Sequence, residues 1–156
     1  MTPDQDDIDL SACREPNPRL YTAETMSAED FATIEHSVFQ CQPGIIYVYE
    51  VKYQNEYSVG LMRKRVIEVA SGLERYVFLV DLTRANRPTA EVREQLKMFF
   101  RDPILVYTVV LVAKSLFLNV AAKFILSSVV ARGKFAIVSD RSEAIARARA
   151  ELAHGG

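Results

Sequence analysis

Four short, largely apolar runs along the chain have the length and composition of strands: residues 45–53, 75–82, 104–113 and 134–138. Runs 75–82 and 104–113 are almost continuously apolar, which is typical of a strand covered on both faces. A Gln-Pro-Gly turn precedes the first run, and the loosely alternating residues 31–39 lie before that turn. This pattern predicts an opening hairpin.

Three further segments have helical spacing of their apolar residues. Ser58 is the expected N-cap of the first, and Pro88 fits the first turn of the second. Asp140 and Glu143 have the spacing of a capping box at the start of the last helix. The residues expected to face the core are Val59, Met62, Val66, Val69 and Leu73 in the first, Val92, Leu96 and Phe99 in the second, and Ala144, Ile145, Ala148 and Leu152 in the last.

With a fourth helix over residues 115–132, the predicted order is ββαβαβαβα. Strands that alternate with helices indicate an α/β fold with a mostly parallel sheet, and the opening hairpin supplies an antiparallel partner. The length of 156 residues, with 49% hydrophobic and 25% charged residues, fits one domain. No apolar run reaches the roughly 18 residues of a membrane span.

The first ten residues have neither the basic start nor the apolar centre of a secretory signal, so we expect a cytoplasmic location. The two cysteines, Cys13 and Cys41, belong to no metal-binding pattern and are interpreted as reduced thiols. No cofactor or metal site is predicted.

Charge is distributed unevenly along the chain. Residues 1–30 hold eight acidic and two basic residues, a net charge of −6, whereas the other 126 residues hold 17 basic and 12 acidic residues, a net charge of +5. We interpret residues 1–30 as an acidic, disordered leader and residues 31–154 as the domain. The alternative is a tail that docks on the domain and masks a partner surface.

Catalytic signatures do not emerge from the sequence. The charged junction after Asp81 has no glycine, and none occurs between Gly72 and Gly133, which argues against a phosphate-binding loop. His36 is expected in a hairpin strand and His154 in a tail, neither near a nucleophile. The sequence therefore favours a non-catalytic protein over an enzyme. The basic cluster at 63–65 is interpreted as a solvated helix face instead of a nucleic-acid site.

The predicted 115–132 helix is unusually apolar. Ser115, Asn119, Lys123 and Ser127 form one narrow polar stripe, and almost everything else is apolar. A helix of this kind is expected to bury a second face. A homodimer seam is the simplest explanation, a hydrophobic lipid-like ligand is the alternative, and extra packing within the monomer is a third. The residues proposed for this role are Leu116, Phe117, Val120 and Phe124.

Three segments together resemble the STAS domain, the fold of bacterial anti-sigma-factor antagonists, and especially its divergent members that are compared with CRAL-TRIO lipid-binding domains. They are "FLVDLTRANRPTAEVRE", "TVVLVAKSLFLNVAAKFIL" and "KFAIVSDRSEAIARARAEL". Regulated members carry a phosphorylated serine at the start of the second helix. The corresponding positions here are Thr89, Ala90 and Glu91, so that serine motif is missing.

The resemblance implies a non-catalytic regulatory or scaffolding module that binds a protein partner through the loop and helix start after the third strand. The residues expected at that surface are Asp81, Thr83, Arg84, Arg87, Thr89 and Glu91. Homodimer formation through the 115–132 helix is expected as well. The alternative function is a carrier or sensor of a hydrophobic small molecule held against that helix.

Overall fold

The computed structural model describes residues 8–11, 13, 22–86, 89–113, 120, 122–123, 126–127 and 134–154. Within them lies a five-stranded sheet in which each strand pairs with the next one along the chain. The first pair is antiparallel and the other three pairs are parallel. The predicted α/β fold with a mostly parallel sheet is confirmed. Its strands are β1 (Val38–Gln42), β2 (Ile45–Tyr49), β3 (Tyr76–Asp81), β4 (Leu105–Leu111) and β5 (Phe135–Val138).

Within the described ranges, four helices have both ends defined: α1 (Ala28–His36), α2 (Glu56–Ala70), α3 (Ala90–Phe99) and α4 (Arg141–His154). The prediction that residues 31–36 open the hairpin is wrong, because they belong to α1, and His36 ends this helix instead of lying in a strand. The helix begins before these residues because Ser27 and Asp30 form a capping box. In it, the side chain of each residue accepts a hydrogen bond from the backbone N–H of the other. The hairpin itself, β1 and β2, is present.

The start of α2 also differs from the prediction. Asn55, not Ser58, is the N-cap, and its side chain accepts a hydrogen bond from the Ser58 backbone N–H at 2.8 Å. The Ser58 hydroxyl in turn accepts a hydrogen bond from the Asn55 backbone N–H at 3.1 Å. Ser58 therefore occupies the third helical position of the capping box. Ser58 is fully buried there. The helix consequently gains most of a turn at its N-terminus.

Side chains alternate between the two faces of the sheet, and each face has its own core. One face, with Tyr47, Leu79 and Val109, packs against the predicted inner residues of α4. The other face, with Ile46 and Phe78, packs against α1 and α2. Burying each large side chain of this kind contributes about 1.5–3 kcal/mol, so both helical layers hold the sheet.

The 115–132 segment lies largely outside the described residues. Within it, residues 120, 122–123 and 126–127 are helical, and Ala122 and Leu126 pack with Val110 and Val112 at the β4 side of the sheet. Leu116, Phe117 and Phe124 are among the residues that are not described, as are Arg87 and Pro88. In the described part of the chain, no helix is both long enough and apolar enough to cross a membrane.

Residues 8–11, 13 and 22–30 of the predicted leader are described. Ile8 and Leu10 pack against the α4 side of the core. Cys13 is only 4% exposed, and its thiol donates a hydrogen bond to the His36 carbonyl oxygen. This part of the N-terminal segment therefore contacts the domain. The boundary between leader and domain at residue 30 stays a prediction.

Candidate functional site

The candidate site lies at the carboxyl ends of β2 and β3, where the chain enters the β3–α3 loop, residues 82–89. Because β2 and β3 are parallel, both strands deliver their last residues to the same edge of the sheet. Loops at this edge of α/β sheets commonly carry binding residues. Five of the six predicted partner-binding residues are described, and all five lie in or beside this loop.

Asp81 is fully buried at the end of β3 and anchors the beginning of the loop. One carboxylate oxygen accepts hydrogen bonds from the Thr83 backbone N–H at 2.9 Å and from the Thr83 hydroxyl at 2.6 Å. The other oxygen accepts from the Tyr47 hydroxyl and lies 3.5 Å from the Arg141 guanidinium at the start of α4. A buried carboxylate needs such partners, so Asp81 joins β2, the loop and α4.

The protonation of this cluster fits a structural role. Burial raises the pKa of Tyr47 far above its ordinary value, and the negative charge of Asp81 raises it further. The phenol therefore stays protonated and donates to the carboxylate. Asp81, committed to these donors, is poorly suited to act as a general base. A direct contact between Asp81 and a partner is also excluded by its burial.

Arg84 fastens the middle of the loop to two other segments. Its guanidinium donates to the Glu50 carbonyl oxygen at 2.9 Å and to the Cys13 carbonyl oxygen at 2.6 Å. The same group lies over the Tyr49 ring, 3.8 Å from its centroid, in a cation–π contact. Arg84, predicted from the sequence to contact a partner, thus contacts its own chain in these ways.

The loop and the helix that follows are held at two more points. The Asn86 backbone N–H donates to the Lys52 carbonyl oxygen at 3.0 Å, and the Thr89 hydroxyl accepts from the Val92 N–H at 3.3 Å as the N-cap of α3. Thr83, Asn86, Thr89 and Glu91 remain exposed. Asn86 was not singled out from the sequence, because an asparagine in a charged loop is an ordinary turn residue.

An apolar pocket of about 90 Å³ lies beneath this loop, on the α3 side of the sheet. Sheet residues, loop residues, α3 residues and the helical residues Ala122 and Leu126 all contribute to its walls. Glu50, Gln54 and Asn86 are its polar members. The alternative prediction, a hydrophobic ligand held against the 115–132 helix, stays a prediction. Glu50 was missed, although an acidic residue inside the apolar run 45–53 could have drawn attention to it.

Of the residues predicted for self-association or ligand contact, Val120 is described. It is helical, and its side chain is 66% exposed. Its neighbours Ala122 and Leu126 face the sheet and are buried. Val120 therefore lies on the outer side of the segment, where a second chain could reach it.

Among the residues that the structure describes, no group of three or more His, Cys, Asp or Glu side chains is arranged to hold a metal ion. Both cysteines are free thiols, and burial raises the pKa of Cys41 to about 11 and that of Cys13 above its ordinary value. Thiols in such surroundings are poor nucleophiles at neutral pH.

Comparison with known proteins gives no match to a protein-family model, a curated protein or a solved structure. The resemblance to the STAS family therefore stays a prediction from the sequence.

Proposed function

We propose that this chain is a non-catalytic regulatory or scaffolding module that binds a protein partner through the β3–α3 loop and the start of α3. The observation that carries the proposal is how this loop is built. Asp81, Arg84 and the Asn86 N–H hold it from within the chain, while Thr83, Asn86, Thr89 and Glu91 stay exposed.

A loop fastened in this way is suited to recognition. Binding a flexible loop costs free energy because the loop must be ordered, and a loop already held in place avoids much of that cost. The exposed groups include hydroxyls, an amide and a carboxylate, which favour directional polar contacts over a purely apolar interface. The likeness to STAS domains supports the same surface, since the partner-contacting region of that family corresponds to residues 83–89.

The role of the predicted residues is divided in this proposal. Thr83, Thr89 and Glu91 form the contact surface, and Arg87 belongs to it by its place in the sequence. Asp81 and Arg84 are positioning residues, because one is buried and the other binds backbone carbonyl oxygens of its own chain. Reversing the charge of Arg84 would therefore perturb the fold together with the surface.

A charge reversal at Glu91 separates these effects. Glu91 is exposed in the first turn of α3, and Glu74 is an exposed acid before β3, at the opposite edge of the sheet. Proteins retained from a lysate of the source cells by the wild type and by the Glu74→Lys control, but not by Glu91→Lys, are the candidates. Each candidate is then purified and its affinity for all three proteins measured.

The proposal expects a purified candidate to bind the Glu74→Lys protein as tightly as wild type and the Glu91→Lys protein at least about tenfold more weakly, equivalent to about 1.4 kcal/mol. Equal binding to all three proteins would contradict the proposed surface.

A second candidate function is favoured by the pocket beneath the loop. In this function the chain carries or senses a hydrophobic, lipid-like molecule held between the sheet and the 115–132 segment. Native mass spectra of freshly purified protein test it, because a retained lipid adds a mass that denaturing conditions remove. A spectrum with no such added mass would count against a lipid carrier.

Self-association is part of the first proposal. The support is the exposed Val120 on an apolar helical segment, which a second copy of the chain would cover in a symmetric contact. Leu116, Phe117 and Phe124 are proposed members of the same surface on sequence grounds alone.

A further inference from the structure

The apolar pocket beneath the β3–α3 loop reaches the proposed partner surface. Asn86, which is exposed in the loop, is also one of the residues that line the pocket. Leu82 and Ala85 of the same loop line it as well. The loop that we propose to contact a partner is therefore part of the wall and part of the rim of this pocket.

An open cleft of about 470 Å³ lies next to the pocket, at the starts of α2 and α3. Thr89 and Glu91 of the proposed surface line this cleft together with residues 22–23 and 54–57. Gln54 lines both the cleft and the apolar pocket, so the two spaces adjoin at this residue. A protein segment that lies in the cleft can therefore extend a side chain into the pocket.

The walls and the volume of the pocket determine which kind of side chain fits. The described residues of the sheet and of α3 that line it are apolar: Val48, Phe78, Val80, Val110, Leu96 and Phe99. The space of about 90 Å³ is smaller than the roughly 150 Å³ of an engineered apolar cavity that binds benzene. An aliphatic side chain such as that of leucine consequently fits better than an aromatic ring, and a long acyl chain does not fit.

The position of the pocket matches the way binding energy is distributed in protein interfaces. A few side chains that are buried in pockets near the centre of an interface carry most of the affinity, and a polar rim surrounds them. Here the exposed polar residues of the β3–α3 loop and Glu91 form such a rim beside the pocket. Because Asp81 and Arg84 hold the loop from within the chain, the pocket is formed before a partner binds.

We infer that the protein partner is recognised through an aliphatic side chain, the size of leucine, that enters this pocket from the cleft. Polar groups of the partner beside that side chain contact the exposed residues of the loop and Glu91. This inference rests on the proposed function and deepens it, because it names the chemistry of the segment that the surface binds. Recognition in the pocket depends on its shape and on its apolar walls.

The test is a selection of peptides on the full-length protein, and the probes are the peptides that it returns. A displayed library of random short peptides is selected on the wild type. We expect selected peptides that share one Leu, Ile or Met position with polar residues beside it, and that shift the methyl NMR signals of Val80 and Val110. Replacing the shared residue with alanine should weaken binding at least about tenfold. Selected peptides without such a position would overturn the inference.

Two variants fill the pocket from different elements. Val80→Phe on β3 and Leu96→Phe on α3 each add volume at a pocket wall and should weaken binding of these peptides at least about tenfold. Ile67→Phe adds bulk at an exposed position of α2 outside the pocket and should bind the peptides like wild type. Having two filling variants keeps the test available if one of them does not fold.

Charge reversal connects the pocket to the surface. Glu91→Lys should weaken the same peptides at least about tenfold, and Glu74→Lys, at the opposite edge of the sheet, should bind them like wild type.

The remaining outcomes separate this inference from the proposed function. Peptides that are weakened by Glu91→Lys but bind both filled variants like wild type would leave the surface in place and overturn the anchor. Peptides that lose affinity for the filled variants but not for Glu91→Lys would also overturn the inference, because the pocket would then act apart from the surface. Peptides that none of these variants weakens would contradict the inference and the proposed surface together. A retained small molecule that the peptides do not displace from the pocket would favour the second candidate function instead.

Discussion

The Tyr47 hydroxyl donates a hydrogen bond to the Asp81 carboxylate across the neighbouring strands β2 and β3, and both side chains are fully buried. In the parallel register Tyr47 pairs with Leu79 and Tyr49 with Asp81, so the two side chains lie on the same face, two residues apart. The contact matters because Asp81 also holds Thr83, the first exposed residue of the proposed partner surface.

Replacing Tyr47 with phenylalanine should lower the free energy of unfolding by about 1–3 kcal/mol, the usual cost of leaving a buried polar group with one partner fewer. Urea denaturation measures this change. Tyr57→Phe is the control, because Tyr57 is half-buried in α2 and packs beside the other core. Equal losses in the two variants would show that the hydrogen bond to Asp81 contributes nothing specific.

Stability should fall steeply at alkaline pH. Burial raises the pKa of Tyr47 and of Tyr76, and Asp81 and Asp102 raise them further as hydrogen-bond partners. Unfolded tyrosine titrates near pH 10, so above that pH the native state holds more protons than the unfolded state. The stability contributed by each phenol is complete below about pH 10 and should then be lost at about 1.4 kcal/mol per pH unit.

The measurement is urea denaturation at a series of pH values on both sides of about pH 10. Tyr47→Phe should lose about half of the alkaline slope that the two tyrosines produce, since one of the two groups is gone. The Tyr57→Phe control should keep the slope of the wild type. A flat profile in the wild type would contradict the protonated, buried state of these phenols.

Arg84→Gln should release the N-terminal segment around Cys13. The substitution removes the guanidinium that donates to the Cys13 carbonyl oxygen at 2.6 Å. A hydrogen bond from a charged donor contributes about 1.5–3 kcal/mol, so labelling of the Cys13 thiol by a maleimide should become about tenfold faster or more. Cys41, on β1, is the internal control and should react at its original rate. Unchanged labelling of Cys13 would show that Arg84 does not hold this segment.

Val120→Glu should convert a dimer into a monomer. The side chain is 66% exposed in the single chain, so a charge there does not disturb the core, but it would be buried in the proposed interface. Size-exclusion chromatography with light scattering reports the mass. Ile67→Glu, an equally apolar-to-acidic change at an exposed position of α2, should leave the dimer intact. A wild-type protein that is monomeric over the accessible concentration range would refute self-association.

Strands β2 to β5 could be predicted from the sequence because they are largely apolar runs, and helices α2, α3 and α4 because their apolar residues have helical spacing. Helix α1 could not be read correctly, since residues 31–36 alternate loosely enough to fit a strand and the decisive signal, the Ser27–Asp30 capping box, lies before them. The start of α2 was predicted too late along the chain, because Asn55 and Ser58 are both good capping residues.

The position of the loop could be predicted from the sequence. Which of its residues hold the loop in place and which form its exposed surface could not. Arg84 and Cys13 are 71 positions apart, and their hydrogen bond exists only in the folded chain. An arginine in a polar loop has the same local pattern whether it contacts a partner or its own backbone. The pocket likewise depends on residues from the sheet, the loop and α3, which no local pattern brings together.

The central claim, a protein-binding surface at the β3–α3 loop, is tested most directly by site-specific photo-crosslinking in the source cells. A benzophenone amino acid replaces Thr83 in one variant and Glu91 in another, and a third variant carries it at Glu74 on the opposite edge of the sheet. The account predicts that positions 83 and 91 crosslink to the same protein and that position 74 does not. Crosslinks to that protein from position 74 as well, or none from positions 83 and 91, would contradict it.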